Sequence, residues 1–362
     1  MGAALTRSPA PRTDVALRPA ATAMVWIGPG QAHEIIAVPG VALADGDVLV
    51  AVELSTICGS DVHTVSGRRH APTPLVLGHE SVGRVIAIGE GAVDAVDGSP
   101  LRVGDRIVWS VTVSCGNCDR CVRGLPQKCC TLSRYGHERI GVHGDLTGTF
   151  GSHVQLRRGT AIVRVPEALP AAVLAPASCA TATAWAAVAR AARDRDLQGA
   201  AVRVYGAGLV GLSAAAIAVE HGATVEVLDP NPQRRAFATR FGATSIERRP
   251  DVVIEASGHA MDDAIAQVDT GGIVVLVGSV FPAAPVSFDP EDFVYRLVTV
   301  TGVHDCTGAE LAEAVAFLAG RGRAYPFADA VGEVHPLADL DAALVAASAA
   351  DAAPRIGLVP GR

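Results

Sequence analysis

Four cysteines stand close together as Cys115-x2-Cys118-x2-Cys121-x7-Cys129. Thiolates at this spacing can close a tetrahedral zinc–sulfur set with bonds of about 2.3 Å, which leaves no coordination position for a substrate. They read as a structural zinc site, with the neighbouring Cys130 a spare thiol. A second group of metal-competent side chains is dispersed. Cys58 opens Cys58-Gly59-Ser60-Asp61-Val62-His63, His79 and Glu80 follow Gly78, and Cys179 precedes Ala180-Thr181-Ala182-Thr183. Spacing alone does not separate a Cys58/His79/Cys179 metal site from buried structural thiols and a core histidine. A third element is Gly206-Ala207-Gly208-Leu209-Val210-Gly211. It lies between a strand pattern and a helix pattern, and Asp229 ends the next strand, which is the context of a dinucleotide-binding loop rather than of a bare glycine turn. Gly206 permits the tight turn, Gly208 lets the backbone approach a pyrophosphate, and Gly211 allows helix to pack on strand. The pyrophosphate would rest on the helix N-terminus beside Leu209 and Val210. Asp229 would accept hydrogen bonds from the adenosine ribose and repel a 2′-phosphate, favouring NAD over NADP, a preference that Arg234 and Arg235 soften.

Those residues need elements to hold them. The first half of the chain carries short β-type runs at 48–54, 81–88 and 106–111, broken by Gly, Pro and Asp. After Pro170 the rhythm changes to a helix over 177–192, strand 201–205, helix 210–220 and strand 224–228. Helix 233–241, strand 252–255, helix 261–268 and strands 272–277 and 298–303 follow. Strands alternating with helices predict βαβ units and a parallel sheet. A helix is expected over 342–353, and 355–359 reads as a strand able to rejoin the first domain.

Composition sets outer limits. The chain has 362 residues, 49% of them hydrophobic, which suits two domains with sizeable cores. A net charge of −7 argues against a nucleic-acid partner. No apolar run has the length and flanks of a membrane span. The eight cysteines are clustered rather than spread as staples, which points to a reducing compartment, the cytoplasm. Residues 1–20 carry Arg7, Arg12, Arg18 and three prolines without an apolar stretch, and read as a disordered leader, with an organellar transit peptide as the alternative.

From about Ala23 onward the chain resembles the zinc-dependent medium-chain dehydrogenase/reductases, the alcohol dehydrogenase family. The motif that opens at Cys58, Gly78-His79-Glu80, the four-cysteine lobe, Cys179 and the glycine loop agree with that family in order and spacing. The resemblance implies an α/β protein in which a GroES-like β-rich catalytic domain (21–175 and 327–362) wraps a Rossmann domain with a doubly wound parallel sheet (176–326). It implies two zinc ions per chain and NAD. Cys58, His79 and Cys179 then fall on the catalytic zinc ligands, Asp61 on the carboxylate that orients His79, and Glu80 on the acid near the metal. Ser60 and His63 fall on the proton relay, and Thr183 on a threonine that packs against nicotinamide. Arg355 falls on a late arginine near Glu80 and the pyrophosphate. Gly59 departs from the pattern, because several relatives place a pyrophosphate-binding arginine there. Homodimers or homotetramers formed through the Rossmann sheet edge are the usual assemblies of such proteins.

The substrate is less determined. Aligned without a gap between Cys58 and His79, Arg69 falls where simple-alcohol relatives line the pocket with an apolar residue, and Arg68 and His70 flank it. A cation there would grip a carboxylate, phosphate or phosphonate, unless it points into solvent. The wording Val65-Ser66-Gly67-Arg68-Arg69, Tyr135-Gly136-His137-Glu138 and Pro176-Ala177-Ser178-Cys179 is similar to a subgroup associated with phosphonate metabolism. That similarity implies a small hydroxyalkyl phosphonate, or its carbonyl form, as substrate. Arg134 and His137 are further candidates to join the anion site. A polyol, amino alcohol or simple secondary alcohol is the alternative. A non-catalytic nucleotide-binding protein would be expected to have lost a ligand or relay group, and a zinc-free quinone reductase would lack both cysteine sets.

Overall fold

The computed structural model of the protein describes residues 12–282 and 285–361. Apolar β-type runs in the first half assemble into an eight-stranded sheet. Along it run Val331–Pro336, Arg355–Val359, Val48–Thr56, Glu80–Ile88, Arg106–Val113 and Ser133–Arg134. His153–Leu156 pairs with Val48–Thr56, and Thr160–Arg164 pairs with Arg106–Val113. Arg106–Val113 is buried along its whole length, and Arg106, Ser110 and Thr112 are buried with its apolar residues. A smaller sheet orders Glu34–Leu43, Thr13–Trp26 and Leu75–Val76.

The second unit is a parallel sheet in the order Thr224–Leu228, Ala201–Tyr205, Val252–Glu255, Ile273–Leu276 and Thr299–Gly302. The expected βαβ succession is present, and strands 201–205, 224–228 and 252–255 fall at the expected residues. Helix Leu209–Glu220 buries nine side chains from Leu209 to Ala218, and five of them are alanine or glycine. Small residues let it lie close to helix Ala180–Ala192 and to the sheet, where Val202, Val204, Val252 and Val275 are fully buried. Each such valine adds about 1.5–3 kcal/mol of apolar burial. The edge strand Thr299–Gly302 and the neighbouring Val294, Tyr295 and Leu297 leave an apolar face in solvent. Among the described residues no single helix is long and apolar enough to cross a membrane.

Three expectations are corrected. Thr13–Ala20 are not part of a disordered leader, because they form the outer half of a strand whose ladder pairs Thr13 with Leu43 and Ala16 with Gly40. Val15 and Leu17 turn inward while Asp14, Ala16 and Arg18 turn outward, an alternation hidden by the charges and prolines around it. Residues 1–11 of that leader lie outside the described residues. The helix expected over 177–192 starts at Ala180, after a tight 3-10 turn at Ala175–Ser178 that contains Pro176. Proline lacks the N–H that a regular helix would need there. The late helix spans Leu340–Ala347 and ends at Ser348, ahead of Pro354.

Glycine at 211 is a packing requirement. A Cβ there would lie 1.9 Å from the Gly206 carbonyl oxygen. Gly211→Ala should therefore lose about 1–3 kcal/mol of unfolding free energy in a denaturant titration and weaken NAD binding; unchanged stability and affinity would contradict the tight helix–strand contact.

Candidate active site

The four-cysteine lobe folds as a knuckle around the short helix Asp119–Val122. Cys115, Cys118, Cys121 and Cys129 bring their sulfurs together, with Cys118 3.5 Å from Cys121, Cys129 3.4 Å from Cys115, and Cys118 3.9 Å from Cys129. A regular tetrahedron with zinc–sulfur bonds of about 2.3 Å has edges of about 3.8 Å, so the residues fit a closed zinc site. The backbone N–H of Cys130 donates to Cys118 Sγ, and together with the Cys121 N–H it lowers the Cys118 pKa to about 5. Cys130 Sγ itself points to Asp119 Oδ1 at 3.2 Å.

The dispersed set also converges. Cys58 ends the Val48–Thr56 strand segment and caps helix Gly59–Val65, His79 precedes strand Glu80–Ile88, and Cys179 sits at the break before helix Ala180–Ala192. The ligand atoms of Cys58, His79, Glu80 and Cys179 all lie within 4.8 Å of one another. Asp61 Oδ2 accepts the Cys58 N–H at 2.9 Å, and Oδ1 faces His79 Nδ1 at 3.5 Å. That leaves His79 Nε2 on the side of Ser60, whose Oγ is 3.4 Å away. Burial opposes a charge on His79, but Asp61 and Cys58 outweigh it and raise its pKa well above the ordinary value. The Cys179 thiol hydrogen-bonds Cys58 and lowers the Cys58 pKa well below a normal thiol, while the same pairing raises that of Cys179. Two thiols and an imidazole that share protons in a buried space are a donor set a divalent cation can take over. Glu80 is fully buried and bidentate to Arg355, with Nε to Oε2 and Nη2 to Oε1 both 2.7 Å. Thr56 donates to Glu80 Oε2 at 2.6 Å.

These groups floor a cavity of about 240 Å3 between the two units. Ser60, His63, Thr183, Gly208, Leu209, Val210 and Arg355 line it. A second cavity, of about 670 Å3, carries Gly206, Asp229, Arg234 and Arg235, and it shares Gly208, Ala256 and Ser257 with the first. The two adjoin as one trough along the glycine loop. Gly208 caps the helix with no side-chain bond of its own, so the first N–H groups stay available for phosphate, and a Cβ at Gly208 would meet only open space. Asp229 Oδ2 accepts the Ala207 N–H at 2.8 Å, which ties the glycine loop to the strand that would meet the ribose.

At the substrate end the candidates separate. Arg69 is half-buried and lines the cavity, whereas Arg68 is exposed and does not, so the pairing of both as substrate residues is corrected. The backbone N–H of Arg69 bonds the His63 carbonyl, and the following turn carries only one of the two neighbours inward. Arg134 and His137 line the cavity as well. His137 Nδ1 bonds the Tyr135 carbonyl at 2.8 Å and its ring lies 5.1 Å from that of His79. Burial, with the His79 and Arg69 charges, holds its pKa at about 3. Phe281, Val277, Val303, His304 and Asp305 also line the cavity and were not anticipated. A usable signal existed, since ligands of parallel α/β sheets bind beyond the carboxyl ends of the strands, where 256–257, 277–278 and 303–305 lie.

A metal-competent thiolate–imidazole set facing a dinucleotide trough is the equipment of a nucleotide-linked oxidoreductase. Residues 44–167 match the alcohol dehydrogenase GroES-like domain, and 172–283 match the family model described as alanine dehydrogenase/PNT, C-terminal domain. The chain is 30% identical over 293 residues to L-threonine 3-dehydrogenase of Streptomyces coelicolor, covering 74% of this chain and 79% of that protein. It is 29% identical to the enzyme of that name from Aeromonas salmonicida, with the same coverage. Among solved structures it resembles an alcohol dehydrogenase from Thermotoga maritima at 28% identity and TM-score 0.85, covering 94% of this chain and 99% of that one. It also resembles an alcohol dehydrogenase from Thermus sp. ATN1 at 27% identity and TM-score 0.82, covering 94% and 100%. The chain belongs to the zinc-type medium-chain alcohol dehydrogenase family, zinc- and NAD(P)-binding oxidoreductases that act on CH–OH groups.

Metal analysis of the purified protein should find about two zinc ions per chain, with Cys118→Ser and Cys179→Ser each removing about one. Only Cys118→Ser should also lower the melting temperature markedly, because its cluster closes a lobe of chain. His79 must shed a proton to bind metal, and its pKa is raised, so zinc at Cys58/His79/Cys179 should be released as pH falls and retained as it rises. Retention of full zinc in both variants would reject the two ligand sets.

Proposed function

We propose that this chain is an NAD-dependent zinc alcohol dehydrogenase whose substrate is a small alcohol bearing an anionic group, a hydroxyalkyl phosphonate or its carbonyl form. The observation that carries the substrate class is Arg69, a half-buried guanidinium in the same cavity as Cys58, His79 and Cys179. A half-buried cation in the cavity of the reacting centre has no use for ethanol and matches a tetrahedral oxyanion. The phosphonate assignment rests further on the motif similarity around Arg69 and His137. Cys58, His79 and Cys179 would hold the catalytic zinc, and Cys115, Cys118, Cys121 and Cys129 the structural one. When bound, zinc supplies Lewis acidity toward the alcohol or carbonyl oxygen, and NAD supplies the hydride acceptor. Ser60 takes the hydroxyl proton and His63 passes it outward. Burial, with Arg68 nearby, lowers the His63 pKa, so the ring is neutral and able to accept at neutral pH. Asp61 holds His79 in register, and Glu80 with Arg355 closes the floor. Eight free cysteines suit the cytoplasm. The apolar face at Val294, Tyr295 and Leu297 suits a second copy of the chain, giving a dimer or tetramer.

L-Threonine is the second reading, favoured by the curated relatives, and it too carries a carboxylate for Arg69. A panel of 2-hydroxyethylphosphonate, 1-hydroxyalkyl phosphonates, threonine, sorbitol, ethanol and 2-butanol separates the readings. A phosphonate should give the highest kcat/KM, and Arg69→Ala should raise its KM by about tenfold or more, roughly 1.4 kcal/mol. Preference for a neutral alcohol with no effect of Arg69→Ala would remove Arg69 from substrate binding and reject the anionic reading. Ser60→Ala should cut kcat by about a hundredfold or more. For alcohol oxidation with zinc kept in excess, so that its release does not intervene, activity should persist below the ordinary imidazole pKa and fall as His63 protonates, and His63→Gln should abolish that acid limb.

A further inference from the structure

Asp305 sits at the carboxyl end of the last parallel strand with φ 56, a backbone region that aspartate enters at lower cost than most residues. Its side chain is largely buried, and it faces Arg134 Nη2 at 3.5 Å and His304 Nδ1 at 2.9 Å. Lys128, from the four-cysteine lobe, reaches the same His304 nitrogen at 2.6 Å. Arg134 comes from the β-rich unit on the opposite wall. Its backbone is pinned, because Glu138 Oε1 accepts its N–H at 2.8 Å and also accepts the Ser133 hydroxyl, while Arg157 holds Glu138 Oε2 at 3.1 Å. Among the described residues Asp305 is the one carboxylate within ion-pair distance of Arg134, and at 3.5 Å the pairing is loose. Arg134 Nε is buried without a hydrogen-bond partner, and Arg69, in the same cavity, makes no ion pair among the described residues. A buried guanidinium donor left unmatched is costly unless an acceptor arrives.

We propose that Arg134 is the second arm of the anion site, closing with Arg69 on one tetrahedral oxyanion, and that Asp305 is the positioning residue that holds Arg134 toward it across the domain boundary. The inference rests on the anionic-substrate reading of the same cavity and names how that anion is gripped. Two guanidiniums from different turns of the β-rich unit can share the three oxygens of a phosphonate, where one would satisfy a carboxylate. Arg134 keeps Asp305 on Nη2 and turns its unmatched Nε to the anion, while His304 steadies Asp305. The site is complete only when both units are in contact, since Asp305 belongs to the nucleotide-binding one.

The test compares wild type, Arg69→Ala, Arg134→Ala and Asp305→Asn, all zinc-loaded, on 2-hydroxyethylphosphonate, its neutral counterpart 1-propanol, and threonine. Methylphosphonate binding is measured by calorimetry as a readout independent of turnover. Arg134→Ala should raise KM for the phosphonate and Kd for methylphosphonate by about tenfold or more, a larger change than in KM for 1-propanol. Asp305→Asn discriminates by sign. Removing a negative charge from the cavity would by itself tighten anion binding, whereas loss of the Arg134 support loosens it. A rise of about threefold or more in methylphosphonate Kd supports the positioning role, and a fall overturns it. If Arg69→Ala weakens the anion and Arg134→Ala does not, the two-armed site is wrong and the anionic-substrate reading stands. If neither arginine matters, the anionic reading fails as well. If Asp305→Asn abolishes threonine turnover alone, Asp305 is the partner of an ammonium group and the proposal is overturned.

Discussion

Glu80 has no exposed surface, and a carboxylate taken out of water costs several kcal/mol unless it is fully matched. Arg355 supplies two parallel hydrogen bonds and Thr56 a third. The same guanidinium lies 3.8 Å from Cys58 Sγ, so one positive charge serves a carboxylate and a thiol together. Burial opposes a charge on Arg355, yet Glu80 and Cys58 raise its pKa further, so the cation is permanent. The three partners come from three adjacent strands. Thr56 stands opposite Glu80 in one ladder, and Gly357 stands opposite Thr56 in the next. A slip of one residue in either pairing would turn the site residues to the other face of the sheet. The register of this sheet and the charge balance around Cys58 are therefore one constraint.

The cleft divides its work between the two units. The β-rich unit contributes groups that handle protons and charge, namely Ser60, His63, Arg69 and Arg134. The parallel sheet contributes the carboxyl ends of its strands, which supply the apolar wall of Val277 and Val303 and the polar pair His304 and Asp305. Rigid scaffolds on both sides suit a reaction that needs donor and acceptor carbons held at a fixed separation.

Much of this was legible in the residues. The four-cysteine spacing and the glycine loop each announce their geometry, because contiguous chain leaves few ways to arrange them. The strands at 201–205, 224–228, 252–255 and 355–359 were readable because β-branched runs sat between clear turn signals. Cys58, His79 and Cys179 are different. Residues this far apart in sequence meet only through the packing of separate elements, and the motif resemblance, not the spacing, brought them together. The outer half of the first strand was missed because its partner, Glu34–Leu43, supplies the ordering from outside the segment. Arg68 and Arg69 could not be told apart, since neighbours of one residue type in the turn after helix Gly59–Val65 carry no signal of which faces inward. His304 and Asp305 carried no motif at all, only a position at the end of a strand.

Glu80 and Arg355 are separated by 275 residues, and the whole nucleotide-binding unit lies between them. Domains tend to fold as they leave the ribosome, the earlier one first. Here the β-rich unit cannot do so, because its buried carboxylate stays unmatched until the last strand of its own sheet has been made. The nucleotide-binding unit has a sheet of its own, which lies in sequence wholly between the two partners. Adding Arg355–Val359 to the sheet therefore also completes the floor of the thiol–imidazole site, and a chain cut before Arg355 would leave the Glu80 carboxylate unmatched.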